Sequence, residues 1–206
     1  LNFLDFTYKD FDDKSIDNFV EMINSGVYQT FDSNYFYDVG KLTKRKTDKS
    51  LAVNSGKAFG RVIGGNLGSY FVLQGTQYYC GYDEDCILFI EEDQLVGKAT
   101  LRESLRRIQS IFMLPNKIVG LVIGRFEYSS KVEIQSFLRG LSRIAETNSI
   151  PLVVNVSYGH TYPKYLVPLG GYCALDVGDN NEISIDFDVE LLDKQKKETK
   201  WANSNQ

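Results

Sequence analysis

Apolar residues fall into two kinds of run along this chain. The first kind is continuous: Cys86-Ile87-Leu88-Phe89-Ile90, residues 117–123 (KIVGLVI) and residues 150–156 (IPLVVNV). Short unbroken apolar runs predict strands covered on both faces. The second kind is periodic. Leu101, Leu105, Ile108 and Phe112 mark one helical face, and Ile134, Phe137, Leu138, Leu141 and Ile144 mark another. Each periodic segment opens with the Ser/Thr-x-x-Glu spacing of a capping box: Thr100-Leu101-Arg102-Glu103 and Ser130-Lys131-Val132-Glu133. The order strand–helix–strand–helix–strand implies parallel strands with helical crossovers. Two short strands, near 171–176 and 182–186, close the pattern around a Gly178-Asp179-Asn180-Asn181 turn and need not be parallel. The predicted fold class is α/β: a mixed, largely parallel sheet with flanking helices.

The pattern weakens upstream. Ile16, Phe19, Val20 and Ile23 predict a short amphipathic helix, and Gly26 is placed to end it. Residues 31–50 show no period and read as irregular. Within them, 41–49 (KLTKRKTDK) is strongly basic and reads as a solvated loop, with contact to an acidic ligand as the alternative. Residues 50–53 and 61–63 predict short strands. Gly64-Gly65-Asn66-Leu67 predicts a turn into a helix reaching about Gln74. From Leu191 the chain is rich in Lys, Gln and Asn and predicts a frayed tail. The resulting division is 1–49, a linker helix and basic loop; 50–190, the folded domain; and 191–206, a flexible tail.

Composition narrows the function classes. At 206 residues the chain is long enough for one large domain or two small ones. A net charge of −4 argues against general nucleic-acid binding. Cys80, Cys86 and Cys173 form no even framework and no CxxC pair, which predicts reduced, cytoplasmic thiols and no zinc site. No apolar run is long enough to predict a membrane span, and no signal peptide is evident. The first residue is Leu1, not Met, which reads as a fragment of a longer protein.

His160 is the single histidine, so it is the only imidazole for proton transfer near neutral pH. It follows the third buried strand, and Glu91 follows the first. Both therefore leave the same edge of the predicted sheet, where ligands of parallel sheets collect. A carboxylate bonded to one ring nitrogen fixes the tautomer and leaves the other to take a proton. The plainer alternatives are a structural histidine and a solvated acidic loop start at Glu91-Glu92-Asp93. Gly64-Gly65-Asn66 permits close backbone approach to a ligand beside an amide that donates and accepts, or is simply a tight turn. It matches neither the phosphate-loop nor the dinucleotide glycine pattern. Cys173 as a nucleophile is a minor alternative; it reads better as a small buried strand residue.

Four blocks, in order, resemble the C-terminal domain of the LD-carboxypeptidase family of serine peptidases. Gly60-Arg61-Val62-Ile63-Gly64-Gly65-Asn66-Leu67 is similar to its G-x-[LV]-I-G-G-N-L block. Ile87-Leu88-Phe89-Ile90-Glu91-Glu92 is similar to I-L-F-[IL]-E-D. Residues 119–125 (VGLVIGR) fit the intervening strand. Tyr158-Gly159-His160-Thr161, followed by Leu166-Val167-Pro168-Leu169-Gly170, is similar to its G-H-T and L-P-[IL]-G blocks. The resemblance covers roughly residues 50–186. The stretch Gly97-Lys98-Ala99-Thr100-Leu101-Arg102-Glu103 looks more like the microcin C self-immunity branch.

The resemblance implies a swivelling-type C-terminal domain that supplies the Glu and His of a Ser-Glu-His triad. Glu91 would be the orienting carboxylate and His160 the general base. Gly64, Gly65 and Asn66 would shape the substrate site. Glu92 stands where the family has Asp. The nucleophilic Ser belongs to the family's N-terminal domain, in a G-[YF]-S-D block absent from these residues. That domain is the implied partner, and the chain alone is expected to be inactive. Implied substrates are a murein peptide cut at an LD bond or, in the immunity branch, a peptidyl- or aminoacyl-nucleotide amide. No metal or organic cofactor is implied, and a homodimer is compatible with the family. The immunity branch stacks its substrate on a Trp ahead of the glycine block, whereas the single Trp here is Trp201, in the tail. A non-catalytic peptide- or nucleotide-binding domain, using Lys44, Arg45 and Lys46, is the alternative.

Overall fold

A computed structural model describes residues 13–29, 35–38, 41–46, 49–79, 83–92, 101–125 and 131–188. Its main sheet has eight strands, in the order β1 (Val27–Gln29), β11 (Ile183–Asp188), β10 (Tyr172–Val177), β5 (Gly56–Asn66), β6 (Cys86–Glu91), β7 (Ile118–Gly124), β8 (Leu152–Val156) and β4 (Leu51–Asn54). The central strands β5, β6, β7 and β8 are parallel, and β10, β11, β1 and β4 join antiparallel on the flanks. The α/β class and mixed sheet are as the sequence predicts.

The apolar runs form strands because both of their faces are covered. In β6, Leu88 and Ile90 join one core cluster, while Ile87 and Phe89 join the other; all four are wholly buried. Side chains alternate across a strand, so a two-sided core needs every position apolar. The first cluster packs against α3 (Leu101–Met113) and α4 (Lys131–Asn148) through Ile108, Ile111, Phe137 and Leu141. The second includes Tyr158, Tyr165, Cys173 and Phe187, with Met22 of α1 (Asp13–Ser25) against it. Each such fully buried large side chain contributes about 1.5–3 kcal/mol. The capping boxes at Thr100 and Ser130 lie outside the described residues.

Two local predictions fail. Residues 64–66 are not a turn. Gly64 and Gly65 continue β5 at φ of 124° and 128°, a conformation that L side chains rarely adopt, and the helix that follows, α2 (Leu67–Phe71), is short. A β-carbon at Gly64 would lie 1.9 Å from the Phe89 carbonyl oxygen, so β5 can run beside β6 only as glycine there. The basic segment is not a loop either. β3 (Lys41–Lys46) pairs with β2 (Tyr35–Asp38), which pairs with β9 (Thr161–Tyr162) in a second, three-stranded sheet. Neither β2 nor β3 carries a clean apolar alternation; they pair with each other as a hairpin, and only the β2–β9 pairing is distant in sequence. β1 and α1 also reach the domain. β1 extends the main sheet, and in α1 the buried Ser15 and Asn18 side chains accept hydrogen bonds from the Lys164 and Leu166 amides.

Candidate functional site

Glu91 ends β6, in register with Asn66 at the end of β5, and β7 and β8 end alongside at Gly124 and Val156. The chain then turns at Tyr158 and Gly159 and returns through His160 into β9. That return brings the imidazole onto the carboxylate: Glu91 Oε2 lies 2.6 Å from His160 Nδ1. With the carboxylate accepting, the tautomer that fits this contact has its hydrogen on Nδ1 and leaves Nε2 as the nitrogen able to take a proton. The Glu91 side chain is 5% exposed and that of His160 37%, so the charge is dry while the ring reaches the surface. The two sequence-predicted catalytic candidates are thus in contact, and Glu91 is not part of a solvated loop.

The closeness of this pair depends on two glycines that sequence reasoning did not single out. A β-carbon at Gly159 would lie 2.7 Å from Glu91 Oε2, and one at Gly124 would lie 2.9 Å from Glu91 Cβ. Gly159 also sits at φ 102°, a conformation that L side chains rarely adopt. Tyr158 packs edge-on against Phe89 on the same side. Burial pushes its phenol well above the ordinary value, and the Glu91 charge adds to that.

Glu92 is also buried, at 5% exposure. Its Oε1 accepts from Asn66 Nδ2 at 3.1 Å, and its Oε2 faces Arg107 Nη1 of α3 at 3.4 Å. Asn66 caps α2 with its other amide atom, Oδ1 accepting from the Ser69 amide at 3.2 Å. The Asn66 side chain is therefore bonded at both ends within the chain. A β-carbon at Gly65 meets nothing within 4 Å, so that backbone borders open space. Cys173 is wholly buried, and burial raises its thiol far above the usual range, the reverse of an activated nucleophile. Among the described residues no group of three or more His, Cys, Asp or Glu could hold a metal ion, and no helix is long and apolar enough to cross a membrane.

The basic strand lies close by. Across the second sheet, Lys41 pairs with Asp38 and Asp38 with Thr161, the residue after His160; Lys44 pairs with Tyr37 and Tyr37 with Tyr162. At about 4.8 Å per strand, the β3 backbone runs about 10 Å from the His160-bearing segment.

Residues 59–175 match the family model described as the LD-carboxypeptidase C-terminal domain. The chain belongs to this family. It is 31% identical over 158 residues to the putative carboxypeptidase YocD of Bacillus subtilis, covering 75% of this chain and 47% of that protein. It is also 31% identical over 134 residues to the microcin C7 self-immunity protein MccF of Escherichia coli, covering 64% and 38%. Among solved structures it is similar to an MccF-like protein from Bacillus anthracis, with a TM-score of 0.78, 27% identity, and coverage of 89% of this chain and 58% of that one. A muramoyltetrapeptide carboxypeptidase from Oxalobacter formigenes shares the fold, with a TM-score of 0.66 at 22% identity. The chain thus spans about half or less of the length of these curated relatives.

Proposed function

We propose that this domain supplies the base and its orienting carboxylate to a serine-type amide hydrolase. The observation that carries the reading is the 2.6 Å contact between buried Glu91 and half-exposed His160 at the carboxyl edge of a parallel sheet. In this scheme a serine from a separate N-terminal domain attacks the amide carbonyl. His160 Nε2 takes the serine proton and later gives it to the leaving amine. Glu91 accepts the Nδ1 hydrogen, holds the tautomer and stabilises the imidazolium as it forms. The Gly64-Gly65 edge of β5 borders the substrate, and Asn66 supports that edge through Glu92.

Two substrate classes follow from the relatives: a murein peptide cut at its terminal LD bond, or a peptidyl- or aminoacyl-nucleotide amide. Both carry anionic groups, and the Lys41–Lys46 strand beside the His160 segment suits either. The test uses the longer protein containing this chain together with its N-terminal domain. Release of the terminal D-residue from murein tetrapeptide, or cleavage of an aminoacyl-nucleotide amide, is expected. His160→Ala should lower kcat by roughly 10⁴- to 10⁶-fold, as triad members act as a unit. The 206-residue chain alone should turn over neither substrate. Full activity of His160→Ala would overturn the reading and leave a binding domain of the same fold.

A further inference from the structure

We propose that Arg125 is a positioning residue for His160, pinning both arms of the loop that carries the imidazole. This rests on the Glu91–His160 reading above, but on different observations. Arg125 directly follows β7 and is 3% exposed. Its guanidinium spreads over the residues on either side of His160. Nε donates to Asn155 Oδ1 at 3.2 Å and Nη2 to the Asn155 carbonyl at 3.4 Å. Nη2 also reaches Ser157 Oγ at 3.3 Å, and Nη1 reaches Thr161 Oγ1 at 3.4 Å. Ser157 and Thr161 are both wholly buried. One side chain thus holds residue 155 near the end of β8, residue 157 on the outgoing arm and residue 161 on the returning arm.

Two features make this more than incidental packing. A guanidinium cannot discard its proton, so its burial is tolerated only where donors are satisfied. Each bond is long, and the convergence of the fork on three loop positions matters more than any one of them. Second, Asn155 stands at φ 63°, a left-handed residue inside β8. Asn is among the few residue types that adopt this conformation readily. Here its amide bridges two elements, accepting from Arg125 and donating through Nδ2 to the Lys49 carbonyl at 3.1 Å. The chain leaves the sheet after Val156, which still pairs with Gly124; Arg125 grips β8 one residue before that exit and the loop where it returns. A lysine offers one point charge and cannot span these positions.

The single histidine makes the test direct, because the chain has one imidazole spectrum. In the nitrogen-15-labelled chain, the Nδ1–H tautomer is expected to predominate, and Glu91→Gln should disturb it. Arg125→Lys should make that tautomer a minority or broaden its Nδ1–H resonance away. Thr161→Val and Ser157→Ala, each removing one acceptor, should shift it by smaller amounts in a chain that stays folded; they decide the matter if Arg125→Lys does not fold. A fall in Tm for these variants with an unchanged imidazole spectrum would show Arg125 to be merely structural and overturn the proposal. Insensitivity of the wild-type spectrum to Glu91→Gln would instead sink the underlying Glu–His reading.

Discussion

Gly159 and Glu91 share a space that no second side chain could enter: a β-carbon on the glycine would fall 2.7 Å from carboxylate Oε2 and as close to Glu91 Cβ and Cγ. The loop must pass this near if His160, the next residue, is to reach the carboxylate. Gly159→Ala should therefore strike the candidate site before it strikes the fold. The left-handed backbone alone costs about 1–2 kcal/mol for an L residue, and relief of the clash requires Glu91 or the loop to move. The expected result is a chain that still melts cooperatively at lower temperature, with its imidazole displaced from Glu91. Thermal denaturation and the His160 ring resonances read the two effects separately.

Adjacent glycines in β5 should behave differently. Gly64→Ala drives a β-carbon to 1.9 Å from the Phe89 carbonyl oxygen, against backbone that cannot yield without parting β5 from β6. It should prevent stable folding. Gly65→Ala meets nothing within 4 Å and costs only the backbone conformation at φ 128°. That variant should fold, with a loss on the order of 1–2 kcal/mol. Circular dichroism and urea unfolding of the pair check the contrast.

Alkaline pH should destabilise the domain in a defined way. Burial raises the Cys173 thiol and the Tyr158 phenol above their ordinary values, the latter with help from the Glu91 charge. In the unfolded chain these groups lose protons from pH about 8.5 and about 10, respectively. The native state keeps its protons longer, so this contribution is complete below those values and falls as pH rises through them. Each group costs up to about 1.4 kcal/mol per pH unit once its unfolded form ionises. Urea midpoints should drop between pH 7 and 10. Cys173→Ala, less stable at pH 7, should show a shallower decline. An equal slope in both would contradict the assignment.

Inertness of Cys173 should be visible chemically. A wholly buried thiol held in its protonated form should resist alkylation in the native chain and react after unfolding. Mass spectrometry after iodoacetamide treatment, with and without urea, distinguishes the two states. Rapid native labelling at Cys173 would revive the cysteine alternative.

Much of the central sheet is readable from residues because β6, β7 and β8 are buried on both sides, which forces continuous apolar runs such as Cys86-Ile87-Leu88-Phe89-Ile90. Convergence of Glu91 and His160 follows from parallel strands ending at one edge. Elsewhere local chemistry misleads. Gly64 and Gly65 have the composition of a turn, yet both continue β5, and it is the missing side chain of Gly64 that lets β6 approach. Lys41, Lys44, Arg45 and Lys46 look like a solvated loop, yet they form a hairpin with the neighbouring β2, which a longer-range pairing with Thr161 and Tyr162 anchors to the domain. Glu92 and Arg125 carry no sequence signal of burial. Their charges are accommodated by Asn66 and Arg107, and by Asn155, Ser157 and Thr161, partners that only the fold brings together.

The most direct test of the account is the nitrogen-15 spectrum of the lone imidazole at neutral pH, in the wild-type chain and in Glu91→Gln. A hydrogen held on Nδ1 and loss of that preference in the variant are expected. A neutral wild-type ring with its hydrogen on Nε2 and none on Nδ1, or a spectrum that Glu91→Gln leaves unchanged, would contradict the Glu91–His160 reading.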